Sequence, residues 1–342
     1  MKKKLLKIFY FTLSKFCVFK FFYWVNRNKQ IVITYHNIIP DYLFDNTVHL
    51  GMSHSQSVFE KQIEHIKKRF HPITEKKILI TFDDGYKNQF EISASILNKY
   101  NLKGTYFITF KLLIEQFTLT VDRMMQWISY VPMGSYKILN RVYEINDSNR
   151  QGIASHIYVK LLGNFQMWDT IETELDQAYP FEDLKIDPEL KRLRFDAMCE
   201  EDLINLASNG HTIAAHSWDH KPLSTMSMTQ QKRDFALSKK YADRYCNSSW
   251  YSYPYGGKDE VSQETAKICE EYGFTAGFMN ISDFSDWKNI KKEYRITRFS
   301  LPNYVDPYVI DAKLSGFEFF IKRLIQKNIK GKIWTRRNFT EC

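Results

Sequence analysis

Two short motifs in this 342-residue sequence combine the side-chain types that hydrolytic chemistry needs. Asp83 and Asp84 are adjacent at the end of the apolar run 78–82, and Gly85 follows them. Neighbouring side chains that leave a strand point in different directions. One carboxylate can therefore bind a metal ion while the other accepts a proton from water. The alternative for these residues alone is a solvent-exposed Asp-Asp-Gly turn.

The second motif, His216-Ser-Trp-Asp-His220, directly follows the apolar segment 211–215. Its two histidines are spaced i and i+4, and one helical turn would bring both rings onto the same face. Two histidines and one carboxylate, completed by water, form a usual catalytic zinc site. Surface histidines at a helix start are the alternative. Because each motif follows a predicted strand, together they favour a metal site of Asp84, His216 and His220.

The elements that must position these residues alternate along the chain. We predict strands at 31–35, 78–82, 105–108, 211–215, 249–253 and 274–278, and helices at 58–70, about 90–100, 197–208 and 261–272. Glycines follow the last two helices, as is typical of helix ends. Strands and helices that alternate over such a length predict an α/β fold with a parallel sheet, either open or closed as a barrel.

Three further segments are set apart by composition. Residues 112–195 are mostly helical in pattern and rich in aromatics, which predicts an insertion able to cap a substrate cleft. Residues 1–29 form a basic, aromatic segment that we expect near a membrane, and 316–342 a basic helix or tail. The catalytic domain is expected to span 30–315.

The motifs Thr81-Phe-Asp-Asp-Gly85 and His216-Ser-x-x-His220 resemble motifs one and two of the polysaccharide deacetylases, carbohydrate esterase family 4 with NodB homology. The resemblance extends from about 31 to 299 and implies a distorted (β/α) barrel, here with a helical insertion. It also implies that Asp83 is the catalytic base. Asp84, His216 and His220 would hold a divalent metal ion, with zinc the expected one.

Tyr253-Pro254-Tyr255-Gly256 resembles the third family motif, R-x-P-Y-G. By that resemblance the backbone N–H of Tyr255 helps to hold the oxyanion, and Pro254 and Gly256 belong to the same substrate site. The motif departs from the family at Ser252, because relatives have an arginine there that braces the base. The sequence therefore does not show which residue, if any, braces Asp83.

The family's fifth motif, L-x-H, supplies a general acid, but no histidine follows His220 in this chain. His36 is the best candidate, because it ends the predicted strand 31–35 in a Tyr-His pair similar to that of the poly-N-acetylglucosamine deacetylases. A hydrogen-bonded histidine at a strand end is the alternative. The segment from Asp283 to Trp287 fits the fourth motif, D-x-x-D-W, either by descent or by coincidence, and Trp287 is expected to stack on a sugar ring.

The net charge of +9 is concentrated at the two ends of the chain. Residues 1–29 hold eight basic and no acidic side chains, and residues 316–342 hold seven basic and two acidic ones. The chain between them is net acidic and carries no basic motif of nucleic-acid-binding proteins, so we expect no nucleic-acid partner.

The segment from Leu5 to Val25 is long enough to span a bilayer, but Lys15 and Lys20 make burial in lipid costly. A helix that lies in the interface of an anionic membrane fits its aromatics and lysines better. An uncleaved anchor and a core helix are the alternatives. Five scattered cysteines without a C-x-x-C pair favour a cytoplasmic protein, peripheral at the inner face of the membrane.

The resemblance implies hydrolysis of a linear amide C–N bond, in which the N-acetyl group of a sugar in a glycan or lipid-linked saccharide leaves as acetate. An O-acetyl glycan esterase would use the same residues. A catalytically inactive protein that binds carbohydrate or serves as a scaffold is the alternative of another class, favoured by the missing arginine and fifth motif.

Overall fold

Strands and helices alternate along the part of the chain that the computed structural model describes, which is residues 2–44, 48–70, 78–286 and 294–325. The strands are β1 (Lys29–Tyr35), β2 (Asn37–Ile39), β3 (Ser53–Ser55), β4 (Ile78–Phe82), β5 (Thr105–Ile108), β6 (Gly134–Ile138), β7 (Arg141–Ile145), β8 (Thr212–Ala215), β9 (Trp250–Ser252), β10 (Ala276–Phe278) and β11 (Ser285–Asp286). The α-helices are α1 (Lys2–Lys15), α2 (Val18–Val25), α3 (Asp41–Phe44), α4 (Gln56–Arg69), α5 (Ser95–Lys99), α6 (Phe110–Glu115), α7 (Thr120–Tyr130), α8 (Arg150–Leu162), α9 (Phe165–Ala178), α10 (Pro188–Phe195), α11 (Glu200–Ser208), α12 (Met228–Tyr245), α13 (Gln263–Glu271) and α14 (Pro307–Leu314). Residues 317–325 are also helical.

Six parallel strands form a curved sheet in the order β10, β9, β8, β5, β4 and β1. All five residues of β4 are buried, because helices cover the outer face of the strand and the side chains of the other strands cover the inner face, where Leu79 packs with Val32 and Phe107. The short strand β11 adds to the amino-terminal end of β1, where Asp286 lies opposite Lys29 in antiparallel register. The expected distorted (β/α) barrel is confirmed.

A short segment that we did not predict closes the curved sheet. The N–H of Thr34 in β1 donates to the carbonyl of Phe299 at 3.0 Å, and the N–H of Phe299 donates to Val32 at 3.1 Å. Three residues earlier, the N–H of Ile296 donates to the carbonyl of Gly277 in β10 at 2.8 Å. Residues 296–299 therefore lie between the two outermost parallel strands. The sequence of this segment, Ile-Thr-Arg-Phe, includes an arginine and is therefore not a continuous apolar run of the kind that predicted the other parallel strands.

The segment between β5 and β8 has a hydrophobic core of its own, in which Trp127, Ile157 and Ile171 of α7, α8 and α9 are fully buried. This segment contains the predicted insertion, but it is not purely helical, because β6 and β7 form an antiparallel hairpin. The hairpin turn consists of Leu139 and Asn140, both with positive φ. Leucine is rare in that conformation, so the turn lacks the Asn-Gly signature by which such hairpins are predicted.

The N-terminal segment is not the continuous helix that we expected. Cys17 has a positive φ of 57°, and the helical axes on its two sides meet at an angle of 76°. Tyr10 and Phe19 are buried against the aliphatic face of α14 and against Phe317. Among the described residues no single helix is long and apolar enough to cross a membrane, whereas this bent pair passes the same test by length and composition.

Candidate active site

The predicted site residues gather at the carboxyl ends of the parallel strands. His36 follows β1, Asp83 follows β4, His216 follows β8 and Tyr253 follows β9. The carboxyl ends of parallel strands meet at one edge of the sheet, which is where α/β proteins collect their functional groups. Loops distant in sequence thus share one cavity of about 190 Å³, lined by His36, Asp84, Tyr86, Tyr158, His220 and Tyr255, among others.

Asp84, His216 and His220 converge as a buried cluster. Oδ1 of Asp84 lies 3.3 Å from Nε2 of His216 and 3.0 Å from Nε2 of His220, and one ligand atom from each residue fits within 4.8 Å of the others. Burial alone would raise the pKa of Asp84, but His220 and His216 more than offset it and hold the pKa of this carboxyl well below its usual range. An ionised carboxylate and two imidazole nitrogens therefore face one point.

The tautomer of His216 is fixed by its neighbour. Nδ1 lies 2.8 Å from the carbonyl oxygen of Ser252, and because a carbonyl can only accept, Nδ1 carries the proton and donates it. Nε2 is then the ring nitrogen that faces Asp84 and is left to bind a metal ion. Hydrogen bonds of this kind orient the metal-binding histidines of proteins.

The loop that carries the two histidines is not helical, so the predicted helical turn is wrong. Ser217 and His220 both have positive φ, at 67° and 60°, and the histidine rings meet at a centroid distance of 5.0 Å. The loop is held by the Ser217 hydroxyl, which accepts from the His220 N–H at 2.9 Å. The N–H of Trp218 donates to the buried Asp234 of α12 at 3.2 Å. Each unusual φ costs about 1–3 kcal/mol and persists only where such contacts enforce it.

Asp83 lies beside this cluster and pairs with an arginine. Nη1 and Nη2 of Arg298 donate to its Oδ1 and Oδ2 at 2.7 and 2.6 Å, while its nearest approach to His216 Nε2 is 3.9 Å. Burial raises the pKa of Asp83, but Arg298 and His216 offset it, so the pKa is lowered overall. The geometry separates the two carboxylates, because Asp84 meets both histidines and Asp83 meets the guanidinium.

Arg298 was not predicted from the sequence, although it supplies the brace for Asp83 that the sequence left open. It lies in the closing segment 296–299, and its Nη2 also donates to the hydroxyl of Ser252 at 2.8 Å. Ser252 occupies the position of the family arginine, and the guanidinium of Arg298 reaches the same carboxylate from the segment between β10 and β1. The one signal that could have indicated it is an arginine placed between the apolar residues Ile296 and Phe299.

His36 faces the same cavity as the metal cluster. Burial lowers its pKa, although the carboxylates of Asp84 and Asp83 oppose that shift. Its backbone carbonyl accepts from the Gln89 side chain at 3.0 Å, but its ring forms no hydrogen bond with the residues that the structure describes. A structural histidine at a strand end would be expected to have a partner for its ring. The position therefore suits a group that contacts substrate.

Tyr255 stands over the cluster, with its ring centroid 4.9 Å from that of His220 and 5.4 Å from that of Trp168 in the insertion. Its φ is 61°, and within the described chain its N–H has no protein acceptor. Pro254 is buried, and Gly256 lies so close to Asn280 that an added Cβ would approach the Asn280 nitrogen to 2.7 Å. Only glycine fits there, and the turn leaves the Tyr255 N–H free to donate.

The segment that resembles the fourth motif lies elsewhere. Asp283 pairs with Arg323, and Asp286 is opposite Lys29 at the amino-terminal start of β1. His36 follows the other end of that seven-residue strand, about 20 Å away at 3.3 Å per residue. The structure does not bring Asp283 to the site, and Trp287 lies outside the described residues.

The three clustered residues fit a divalent metal ion. Oδ1 of Asp84 is buried and lacks a hydrogen-bond donor among the described residues, although both histidines face it. A buried carboxylate oxygen of this kind needs a positive partner. Two imidazoles and one carboxylate are the ligand types that catalytic zinc uses most often.

Comparison with known proteins places these features in a family. The family model for polysaccharide deacetylases matches residues 71–136 and 182–277, and the gap between the two matches lies within the predicted insertion. Among solved structures, the Streptococcus pyogenes deacetylase PplD in complex with acetate has a similar fold, with a TM-score of 0.51 and 14% identity over 84% of this chain and 98% of its own.

Two curated relatives align over part of their length. YxkH of Bacillus subtilis, described as a polysaccharide deacetylase, is 21% identical over 74% of this chain and 66% of its own length. An uncharacterised 30.6 kDa protein of Geobacillus stearothermophilus is 25% identical over 31% of this chain and 40% of its own. The chain thus spans less than two thirds of each relative. On the matched segments, the barrel and the motifs in its loops, this chain belongs to the polysaccharide deacetylase family.

Proposed function

We propose that the protein is a metal-dependent hydrolase that removes the N-acetyl group of a sugar and releases acetate. The observation that supports this most is the convergence of Asp84, His216 and His220 in one cavity, with Asp83 beside them and His36 in the same lining. A divalent ion, with zinc expected, would be held by the three clustered residues and would polarise the acetamide carbonyl and lower the pKa of a water molecule.

The chain's own residues account for the proton transfers. Asp83, kept ionised by Arg298, accepts a proton from the attacking water as the water oxygen bonds to the acetamide carbon. The N–H of Tyr255 stabilises the oxyanion that forms. When the C–N bond breaks, the amine nitrogen takes a proton, which we assign to His36. The products are a free amino sugar and acetate.

Arg298 weakens the case for the alternative, an inactive carbohydrate-binding protein. That alternative was favoured by the missing arginine of the third motif. However, the buried guanidinium of Arg298 donates to both carboxylate oxygens of Asp83. A base that is braced and ionised favours an active enzyme. O-deacetylation would use the same groups and is separated from N-deacetylation by the choice of substrate.

The test is acetate release from N-acetylated and O-acetylated oligosaccharides, with zinc content measured on the same preparations. We expect one ion per chain, its loss in His216→Ala and His220→Ala, and acetate release from the N-acetyl substrate. Asp83→Asn should keep the ion and lose turnover, because an amide cannot accept the proton, whereas the exposed Asp243→Asn should change neither. Stoichiometric metal in both histidine variants would refute the ligand set, and a metal-loaded chain without acetate release would favour a binding protein.

For the substrate we propose a lipid-linked saccharide that carries N-acetyl groups, processed at the cytoplasmic face of the membrane. Tyr158 of the insertion lines the cavity, and Tyr158 and Trp168 both contact Tyr255, so the insertion bounds the cavity on one side, which favours a short glycan over a long polymer. The cysteines in the described chain are unpaired, in keeping with a reducing compartment. A screen of acetate release across lipid-linked and soluble N-acetylhexosamines tests this; equal rates on long soluble polymers would contradict it.

A further inference from the structure

The two ends of the chain jointly form an exposed apolar surface. Of the 17 large hydrophobic side chains exposed in the described chain, ten lie in residues 8–25 and 320–325. We define the terminal face by six of these side chains: Phe9, Phe16, Phe21, Trp24, Phe320 and Ile325. The rings of Phe22 and Phe320 meet at 5.2 Å, so the C-terminal helix adjoins α2 and extends its surface.

The terminal face is held rigidly by the folded domain. Tyr10 and Phe19 point the other way and are buried at 7% and 2% exposure against α14 and Phe317. The hydroxyl of Tyr23 donates to Asp311 at 3.1 Å, and the side chain of Asn26 donates to the carbonyl of Ser315 at 2.8 Å. Both helices therefore use one side to pack on the domain and present the other to the outside.

Exposure of so many aromatics is costly in water. Phe16 is 77% exposed and Trp24 61% exposed. A concentration of large exposed apolar side chains in one part of a protein marks a site for a partner or a membrane.

The charges around the terminal face indicate what kind of surface it binds. Lys15 and Lys20 are exposed between its aromatics, and neither pairs with a carboxylate in the described chain. Arg27 stacks on the ring of Trp24 at 5.0 Å. In the sequence the first 29 residues have no acidic side chain, and the last 27 add seven basic ones. Aromatics mixed with unpaired cations match a bilayer interface with anionic lipids, where rings enter the headgroup region and lysines meet phosphates.

We propose that the terminal face docks the protein on the surface of an anionic membrane, without spanning it. The bent pair α1 and α2 could cross a bilayer only by withdrawing Tyr10 and Phe19 from the domain, and each such buried side chain opposes withdrawal by about 1.5–3 kcal/mol. Docking needs no such rearrangement. The proposal does not depend on the deacetylase activity, which the variants below should retain.

The test is cosedimentation of the full chain with vesicles of phosphatidylcholine, alone or mixed with phosphatidylglycerol. We expect binding to the mixed vesicles that falls with added salt, since the charges are exposed. Phe16→Ser with Trp24→Ser should weaken binding about tenfold or more. The matched control is Met133→Ser with Ile204→Ser, at positions 67% and 61% exposed, and it should bind as the parent does.

Four outcomes would overturn the proposal. No binding to mixed vesicles, or equal loss in the control variant, would show that the terminal face does not dock on lipid. Retention on membranes through alkaline carbonate would show that α1 and α2 span. A dimer in light scattering that the Phe16→Ser and Trp24→Ser changes convert to monomer, without vesicle binding, would show an interface between two copies. Circular dichroism and the thermal denaturation midpoint check that each variant is folded.

Discussion

At the scale of single residues, the pairing of Asp83 with Arg298 decides whether the base is ionised. Arg298→Ala would leave a buried carboxylate without its partner, which costs about 3–5 kcal/mol of folding free energy. Burial would then raise the pKa of Asp83. A base acts only when ionised, so the acid limb of kcat/KM should move to higher pH, and kcat/KM at neutral pH should fall about 10²-fold.

Two further variants separate this role from a general loss of stability. Because Ser252 contacts the same guanidinium, Ser252→Arg added to Arg298→Ala should restore part of the activity and return the acid limb toward its original pH. The exposed Arg233→Lys should change neither the profile nor the denaturation midpoint. An Arg298→Ala enzyme with an unchanged acid limb would mean that the pair is purely structural.

His36 is expected to govern the opposite limb of the pH profile. A general acid must be protonated, so the rate falls as pH rises through its pKa. Because burial lowers the pKa of His36, that fall should occur at lower pH than for a histidine in water. His36→Ala should lose about 10²–10⁴-fold in kcat, keep its metal and lose the basic limb, whereas the exposed His156→Ala should keep both. Near-normal kcat in His36→Ala would assign the proton to another group.

At the scale of elements, α12 supports the metal-binding loop through Asp234. This buried carboxylate accepts from the N–H of Trp218, between the two histidine ligands, and also from the hydroxyls of Ser238 and Tyr251. In Asp234→Asn an amide group replaces the carboxylate to which these three groups donate. Supporting contacts of this kind are worth about 10–100-fold in metal affinity, so zinc should bind that much more weakly in a competition titration. An unchanged affinity would contradict the role.

The same carboxyl links stability to pH. Burial, together with the charge of Asp219, raises the pKa of Asp234 from 3.8 to about 7. The folded state thus keeps a proton that the unfolded state releases, and the contribution of this group to stability falls as pH rises between those values. Denaturation across that range should show a flatter pH dependence for Asp234→Asn than for the parent. Asp243→Asn, on the exposed side of α12, is the control.

At the scale of the whole molecule, the N-terminal helices are part of the folded domain. Phe19 is 2% exposed and meets the ring of Phe317 at 5.7 Å, whereas Phe21, two residues on, is 58% exposed. Phe19→Ala should lower the free energy of unfolding by about 3–5 kcal/mol. Phe21→Ala should change it by no more than about 0.5 kcal/mol, because its side chain does not pack on the domain. Equal effects in chemical denaturation would mean that the segment is not docked.

Features that depend on a local pattern of residues could be predicted before the fold was known. Strands β4 and β5 were predicted with the bounds that the structure has, because runs of buried β-branched and aromatic residues are a local signal. The gathering of Asp84, His216 and His220 followed from the rule that parallel strands end at a common edge.

Tertiary structure decided what depends on contacts between distant segments. Arg298 and Asp83 are 215 positions apart in the sequence, and hydrophobic periodicity gives no information on contacts between such distant residues. The loop from His216 to His220 is bent by its hydrogen bonds rather than wound as a helix, since partners such as Asp234 offset unfavourable φ angles. The N-terminal segment is composed like a single membrane helix, but it breaks at Cys17 because packing on α14 and residues 317–325 outweighs helix continuity.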